Sequence, residues 1–233
     1  MNSGVLGDAR ILWRLLRGKP AGGSHAENLQ AFYGPQADGY DAFRARLLHG
    51  RLDMLAALDV MPGNVVVELG CGTGSSLDIL ADRVDGLGRL ILVDLCPALL
   101  DKARARAAGR PNVMVIEGDA ARWRPPAIAD RVILSYALTM MPDWQRVLAN
   151  AREMLRPGGR IGVVDFYLPE AVNPVEKLFW RNWFAHDGVD LSFARLAELR
   201  RQFPLHFATE ERGPVPYLPG LRVPYFYFLG VRS

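Results

Sequence analysis

The sequence predicts a doubly wound α/β fold, one mostly parallel sheet with helices on both faces, preceded by a helical extension. Three observations carry this. Short apolar runs rich in valine, isoleucine and leucine recur from residue 65 onward, as strands buried on both faces require. Stretches at helical period lie between them, and such alternation implies a parallel sheet. The first run ends in a glycine-rich turn, E-L-G-C-G-T-G over residues 68–74, of the kind that leads a buried strand into a helix N-terminus. The chain divides into an N-terminal helical extension or lid over residues 1–58 and a sheet domain over residues 59–233.

The elements follow in order. Residues 5–19 interleave Leu6, Ile11, Leu12, Leu15 and Leu16 with Arg10, Arg14, Arg17 and Lys19, and Trp13 adds an aromatic. At helical period this is a basic amphipathic helix, which either packs on the domain or docks on an anionic bilayer. Residues 20–24 read as a linker, and residues 28–58 as one or two helices broken near Gly34-Pro35. Strands are then expected at residues 65–69, 90–93, 113–117, 131–135 and 160–166, with helices at 75–84, 97–107 and 143–155 between them. Pro157-Gly158-Gly159 should stop the last helix, since neither residue type continues one well. Helices near residues 175–185 and 191–203, and strand-like runs at 205–210 and 225–231, complete the chain.

Composition narrows the function classes. At 233 residues and half hydrophobic, the chain can bury a substantial core as one domain. No apolar run approaches the ~20 residues of a membrane-spanning helix, and arginines interrupt the N-terminal apolar residues where a signal peptide would be. Cys71 and Cys96 lack metal-type spacing, so a reducing cytoplasm fits best. His25, His49, His186 and His206 are scattered, so no metal site is expected. A net charge of +3 permits an acidic surface as partner without requiring one, and no nucleic-acid partner is expected.

The chemistry should sit beyond the carboxyl ends of the strands. Gly70, Gly72 and Gly74 let the backbone turn and approach a ligand closely. Cys71 and Thr73 lie between them. Glu68, just before the loop, disfavours a phosphate and welcomes a cation. Asp94 closes the second strand, followed by Leu95; a carboxylate there can accept from both hydroxyls of a ribose. Gly118-Asp119-Ala120 follows the third strand, where an acidic side chain can accept from an adenine amino group. Ser135-Tyr136 ends the fourth and would border the reacting centre. A glycine loop alone is often structural, and an aspartate after a strand is often a helix cap. Glu68, Asp94 and Asp119 in register on successive strands make a nucleoside site.

This pattern resembles class I S-adenosylmethionine-dependent methyltransferases, through E-L-G-C-G-T-G, V-D-L, G-D-A and L-R-P-G-G within residues 65–166. The resemblance implies a seven-stranded sheet whose last strand, here residues 225–231, inserts antiparallel. It implies S-adenosyl-L-methionine as cofactor, which carries an ammonium and a sulfonium and no phosphate. Glu68, Gly70, Gly72 and Gly74 would frame its amino acid end, Asp94 its ribose and Asp119 its adenine, with Cys71 packing rather than attacking.

A narrower resemblance lies outside that core. F-Y-G-P-Q-A at residues 32–37, Tyr40-Asp41, Arg44, L-L-H-G-R at 47–51, W-R-N-W-F-A-H-D-G at 180–188 and P-Y-L-P-G-L-R-V-P-Y at 216–225 are similar to the methyltransferases of betaine-lipid synthesis. Those enzymes N-methylate diacylglycerylhomoserine to its trimethyl form. The resemblance implies a lipid amine acceptor at a membrane surface, and a partner enzyme that transfers the aminocarboxypropyl group. The enzyme would be cytoplasmic and peripheral on the inner face of the membrane. Tyr40 and Tyr136 are candidates to line the site; Tyr136, His186 or Asp187 could pass a proton to water. Trp180, Trp183 and Phe184 either line the acceptor site or simply pack a helix. Arg44, His49 and Arg51 could meet the carboxylate of the cofactor or the acceptor; His49 and Arg51 fit a solvated helix end equally well. Competing readings are methylation of phosphatidylethanolamine or a small molecule such as a quinone or polyketide, and a non-catalytic cofactor-binding scaffold. A nicotinamide oxidoreductase is disfavoured, because Glu68 would face a pyrophosphate.

Overall fold

The computed structural model describes Glu27 and residues 46–185, 191–216, 218 and 220–233. The expected helix at 5–19, the linker, Tyr40, Arg44, His186 and Asp187 lie outside the described residues. Within them the strands are β1 (Val65–Leu69), β2 (Arg89–Asp94), β3 (Val113–Glu117), β4 (Ala129–Ser135), β5 (Leu155–Phe166), β6 (Leu205–Pro214) and β7 (Arg222–Val231). The helices are α1 (Arg51–Ala57), α2 (Ser76–Leu80), α3 (Pro97–Ala107), α4 (Trp144–Met154), α5 (Pro174–Ala185) and α6 (Ala194–Gln202).

The strands form one seven-stranded sheet in the order β3-β2-β1-β4-β5-β7-β6. β7 runs antiparallel to both neighbours, and every other pair is parallel. Side chains alternate across each strand, so Val66, Leu90, Leu92 and Ile133 pack on one face with α1, α2, α3 and α5. Val67, Ile91, Val93, Val132 and Leu134 pack on the other with α4 and α6. The continuous Val/Ile/Leu runs of the central strands are explained by this two-sided cover. Register aligns the carboxyl ends: Glu68 pairs with Leu92, and Asp94 with Glu117. The loops after β1, β2, β3 and β4 therefore share one edge.

Four local differences from the sequence expectation have physical reasons. The helix expected at 75–84 is α2 followed by a 3-10 turn, Ala81–Gly86, with Ala81 at φ 47° and ψ −127°. Leu77, Leu80 and Val84 are buried on either side of the break, so the apolar period does not register it. Pro157-Gly158-Gly159 bulges a strand rather than stopping a helix. The β4–β5 pairing steps from Ala129↔Leu155 to Arg131↔Arg160, and Gly158 takes φ 75°. Backbone bonds of 2.8 Å close that bulge, from the Gly158 amide to the Arg232 carbonyl and from the Arg232 amide to the Gly159 carbonyl. β6 continues through polar Glu211 and Arg212 because it is the edge strand, paired only with β7. Finally, α1 belongs to the core although it falls within residues 1–58. Met54, Leu55 and Leu58 are buried, and a side chain at Gly162 of β5 would lie 2.5 Å from Met54 Sδ.

Candidate active site

The glycine loop is held to β2 by its own backbone. Gly70 and Cys71 donate to the Val93 carbonyl at 2.8 and 3.1 Å. Gly72 donates to Asp94 Oδ2 at 2.8 Å, and Cys96 donates to Asp94 Oδ1 at 2.9 Å. Two backbone bonds do not exhaust a carboxylate, which has about four lone-pair sites. Gly70 lies at φ 75°, and a Cβ there would sit 2.5 Å from the Ala137 methyl. Only glycine fits this turn.

A cavity of about 200 Å³ opens on the β2–β3 side of the loop. Asp94, Leu95, Gly118, Asp119 and Ala120 line it, with Tyr136 and the turn after β4 opposite. Asp119 Oδ1 accepts from the Ala121 amide at 2.9 Å, and its carboxylate lies 3.7 Å from Arg122. Among the described lining residues there are three aspartates, Asp94, Asp119 and Asp143, and no lysine or arginine. Such a wall repels a pyrophosphate and suits a nucleoside carrying positive charge.

A second cavity, about 480 Å³, meets the first at Gly70 and is lined by His49, Arg51, Asp53, Glu68, Cys71, Thr73, Ser75, Asp78, Arg106 and Ser135. Glu68 is fully buried and accepts from the Ser76 hydroxyl. Burial pushes its carboxyl from the ordinary 4.5 up to about 7, against the opposing pull of Ser76 and then Arg51. Arg51 donates from Nε to Ser135 Oγ and from Nη2 to Ser75 Oγ, both at 2.9 Å. It thus ties α1 to the end of β4 and to the start of α2. Arg106 donates to the Thr73 carbonyl at 2.7 Å. Burial holds the Cys71 thiol well above its ordinary range, so it packs as a neutral side chain.

Tyr136 lines the first cavity and is tied to the His49 edge of the second. It adopts φ 53°, is buried, and donates its hydroxyl to the His49 carbonyl at 2.7 Å. Its ring meets Phe166 edge-on at 4.5 Å. With the hydroxyl given to backbone, the ring is what it presents to a ligand. His49 bonds through Nε2 to the Pro214 carbonyl at 2.9 Å and lies against Tyr225 at 5.9 Å.

The structure therefore gathers Glu68, the loop, Asp94, Leu95, Gly118, Asp119, Ala120, Ser135, Tyr136, His49 and Arg51 around two adjoining cavities. Trp180 and Trp183 line neither. Trp180 is 1% exposed and packs on Phe184, because the inward positions of α5 fill core space. The sequence reading missed Arg106, Ser75, and a buried pair behind the first cavity. Asp165 accepts from Thr139 through both amide (3.0 Å) and hydroxyl (2.7 Å). Arg195 donates to the Leu138 carbonyl at 3.3 Å, and its guanidinium lies 5.3 Å over Trp144. Together they brace the turn after β4 that forms one cavity wall. Asp165 ending the apolar run of β5 was the available signal; Arg195, in a helix with three arginines, gave none.

Residues 66–159 match the family described as "Methyltransferase domain". The 2-phytyl-1,4-naphtoquinone methyltransferase of Thermosynechococcus vestitus is 30% identical over 189 residues, covering 76% of this chain and 84% of that one. The chain belongs to the S-adenosylmethionine-dependent methyltransferases. The trans-aconitate 2-methyltransferase of Methylobacterium radiotolerans is 30% identical over 124 residues, 53% of this chain and 46% of that one. The chain thus spans about half or less of the length of several curated relatives. In fold, the methyltransferase superimposes on the Haemonchus contortus phosphoethanolamine N-methyltransferase 2, solved with S-adenosyl-L-methionine. The TM-score is 0.71 at 14% identity, over 91% of this chain and 61% of that one.

S-adenosylmethionine, the cofactor of this methyltransferase, supplies an electrophilic methyl group on a sulfonium. The acidic first cavity and the buried Glu68 carboxyl fit its positive charges. A pH dependence follows for Glu68, whose carboxyl is raised to about 7. Below that pH the folded protein without cofactor holds the proton while the unfolded chain does not. Stability of this form therefore falls as pH rises from about 4.5 to 7 and is then flat. A cationic ligand favours the ionised carboxylate, so binding below pH 7 releases the proton. We expect cofactor Kd to rise about fivefold between pH 7 and pH 6, and Glu68→Gln to flatten that slope. Calorimetry at both pH values checks this; a wild-type Kd that does not move between them refutes it.

Proposed function

We propose that this methyltransferase adds methyl groups to an amine nitrogen carried on a lipid, the amino group of diacylglycerylhomoserine. One observation carries the reading. Sequence blocks that resemble betaine-lipid methyltransferases, far apart in the chain, come together: L-L-H-G-R lines the second cavity, and residues of the other two pack behind it. His49 and Gly50 of L-L-H-G-R touch Pro214 and Tyr225 at the other end of the domain. The His49 carbonyl takes the Tyr136 hydroxyl. Phe184, from the third block, reaches Tyr136 through Phe166. The cavity so built carries Glu68, Asp53 and Asp78 together with Arg51. That mixture complements an amino acid head group, with acidic groups for an ammonium and a guanidinium for a carboxylate.

An amine with a free lone pair is already a good nucleophile, so alignment and water exclusion supply much of the rate. Glu68, the glycine loop and Asp94 would hold the cofactor. The Tyr136 ring would face the nitrogen as it becomes cationic, a charge that an aromatic face stabilises by ~1 kcal/mol. Arg51, fixed by Ser75 and Ser135, would set the orientation of a carboxylate in the cavity. His186 and Asp187 remain the proposed proton acceptors. No described helix is long and apolar enough to cross a membrane, and we place the enzyme at the inner membrane face. An aminocarboxypropyl transferase is the proposed supplier of its substrate.

A second reading, methylation of a prenylated quinone, is favoured by the name of the Thermosynechococcus relative. A competition assay separates them. Labelled S-adenosylmethionine is incubated with mixed vesicles of diacylglycerylhomoserine, phosphatidylethanolamine and a prenylquinone. We expect mono-, di- and trimethylated homoserine lipid to carry the label. Label in the quinone or phosphatidylethanolamine, with none in the homoserine lipid, sinks the acceptor assignment.

A further inference from the structure

We propose that the outer face of α5 docks on an anionic bilayer and is where the lipid acceptor enters. The inference rests on the lipid-acceptor reading above and deepens it. α5, P-V-E-K-L-F-W-R-N-W-F-A, is apolar on two faces. Its inner face buries Trp180 and Phe184 in the core. Its outer face presents Val175, Leu178 and Phe179 at 76%, 62% and 41% exposure. The spacing i, i+3, i+4 puts these three on one stripe. A surface helix ordinarily turns one apolar stripe to the core and polar side chains to water, so this second apolar stripe calls for a cover.

Charge selects the cover. Arg181, one turn on from Leu178, is exposed at the edge of the stripe, and Lys177 is exposed farther round the same helix. Arg212 and Arg222 border the adjoining groove with Val175 and Phe179. The acidic neighbour in that groove, Glu176, is bonded by Arg212 at 2.5 Å. A second copy packed face to face would bring these cations against each other. The segment 5–19 of this chain carries Arg10, Arg14, Arg17 and Lys19 and is equally mismatched. An anionic head-group layer complements both, at ~1 kcal/mol per basic side chain near the surface.

Geometry joins this face to the methyl-transfer site. Exposed Phe179 touches Trp180 at 5.0 Å, Trp180 touches Phe184 at 5.9 Å, and Phe184 touches Phe166 at 5.0 Å. Phe166 meets Tyr136 at 4.5 Å. An unbroken run of aromatic rings thus leads from the docking stripe to the Tyr136 ring on the wall of the first cavity.

The test is co-sedimentation of the full chain with vesicles of two-thirds phosphatidylcholine and one-third phosphatidylglycerol, and with pure phosphatidylcholine. Wild type is expected to partition onto the anionic vesicles at least about tenfold better than onto the neutral ones. Val175→Glu/Leu178→Glu is expected to lose about tenfold or more on both. Lys177→Glu/Arg181→Glu is expected to lose a similar amount on the anionic vesicles only. Methyl transfer to acceptor lipid dispersed in detergent should be unchanged in the first variant, which shows that the site is intact. Unchanged vesicle binding in both variants overturns the docking face. So does a wild-type dimer, seen without vesicles, that Val175→Glu/Leu178→Glu dissolves. Wild type that binds vesicles through α5 but methylates no homoserine lipid refutes the acceptor and leaves the docking face standing.

Discussion

Asp94→Ala lowers affinity for S-adenosylmethionine about a thousandfold while the sheet stays folded. The carboxylate anchors the loop through Gly72 and the start of α3 through Cys96, and it is the group proposed to meet the ribose. Hydrogen bonds to a charged group contribute ~1.5–3 kcal/mol each. Losing the ribose bonds and the loop anchor together costs about 4 kcal/mol, and each ~1.4 kcal/mol is tenfold in Kd. The fold tolerates the change because Asp94 is only partly buried, at the last position of β2. Asp94→Asn, which keeps one acceptor oxygen, should fall between the two. Calorimetry gives the affinities and thermal unfolding checks the fold. An alanine variant binding within about tenfold of wild type would remove Asp94 from the cofactor site.

Arg195→Ala is the change expected to cost most in stability, about 4 kcal/mol, the scale for truncating a large buried side chain and leaving the polar groups around it less compensated. Arg195 and Asp165 are 2% and 0% exposed. Burial raises the Asp165 carboxyl, and the Arg195 guanidinium is among the groups that pull it back down. Without Arg195 the carboxylate stays buried with less compensation, the Leu138 carbonyl loses a donor, and a void opens beside Trp144. The sign of the pH dependence is fixed. Asp165 titrates above its unfolded value, so its contribution is lost as pH rises, and removing Arg195 deepens that loss. The deficit should therefore be larger at neutral pH than in mild acid. Denaturant unfolding at both pH values measures it. Arg195→Lys should recover part of the stability and Arg195→Met little. A deficit below about 1 kcal/mol at neutral pH would mean that the guanidinium is not the partner of Asp165.

The sheet was legible because its signal is local. Residues 113–117 and 97–107 stand in the structure with the bounds their apolar period predicts. Glu68, Asp94 and Asp119 were readable together because each lies at or just beyond the carboxyl end of a strand, and parallel register brings such ends to one edge. Pro157-Gly158-Gly159 misled because a helix stop and a strand bulge use the same residues, and only the pairing of β4 tells them apart. Trp180 was ambiguous for a similar reason: an aromatic at helical spacing fits a core or a binding wall, and burial decides. The Arg51 bridge depends on Ser75 and Ser135, from two other elements. No spacing rule within one segment encodes such a triangle.

The position of β7 governs the order in which the molecule can be assembled. β7 comes last in the chain yet sits between β5 and β6, pairing with β5 over seven positions and with β6 over ten. Until it has been synthesised, β5 has an open edge and β6 has no neighbour. A growing chain can build the half containing β1 to β4, with the glycine loop, Asp94 and Asp119 already in register. The half that carries α5 must wait. Pairings of such long range close slowly and leave edges exposed meanwhile. The cofactor edge is thus topologically independent of the final step, whereas the contact between His49 and Tyr225 forms only when the last strand slides in.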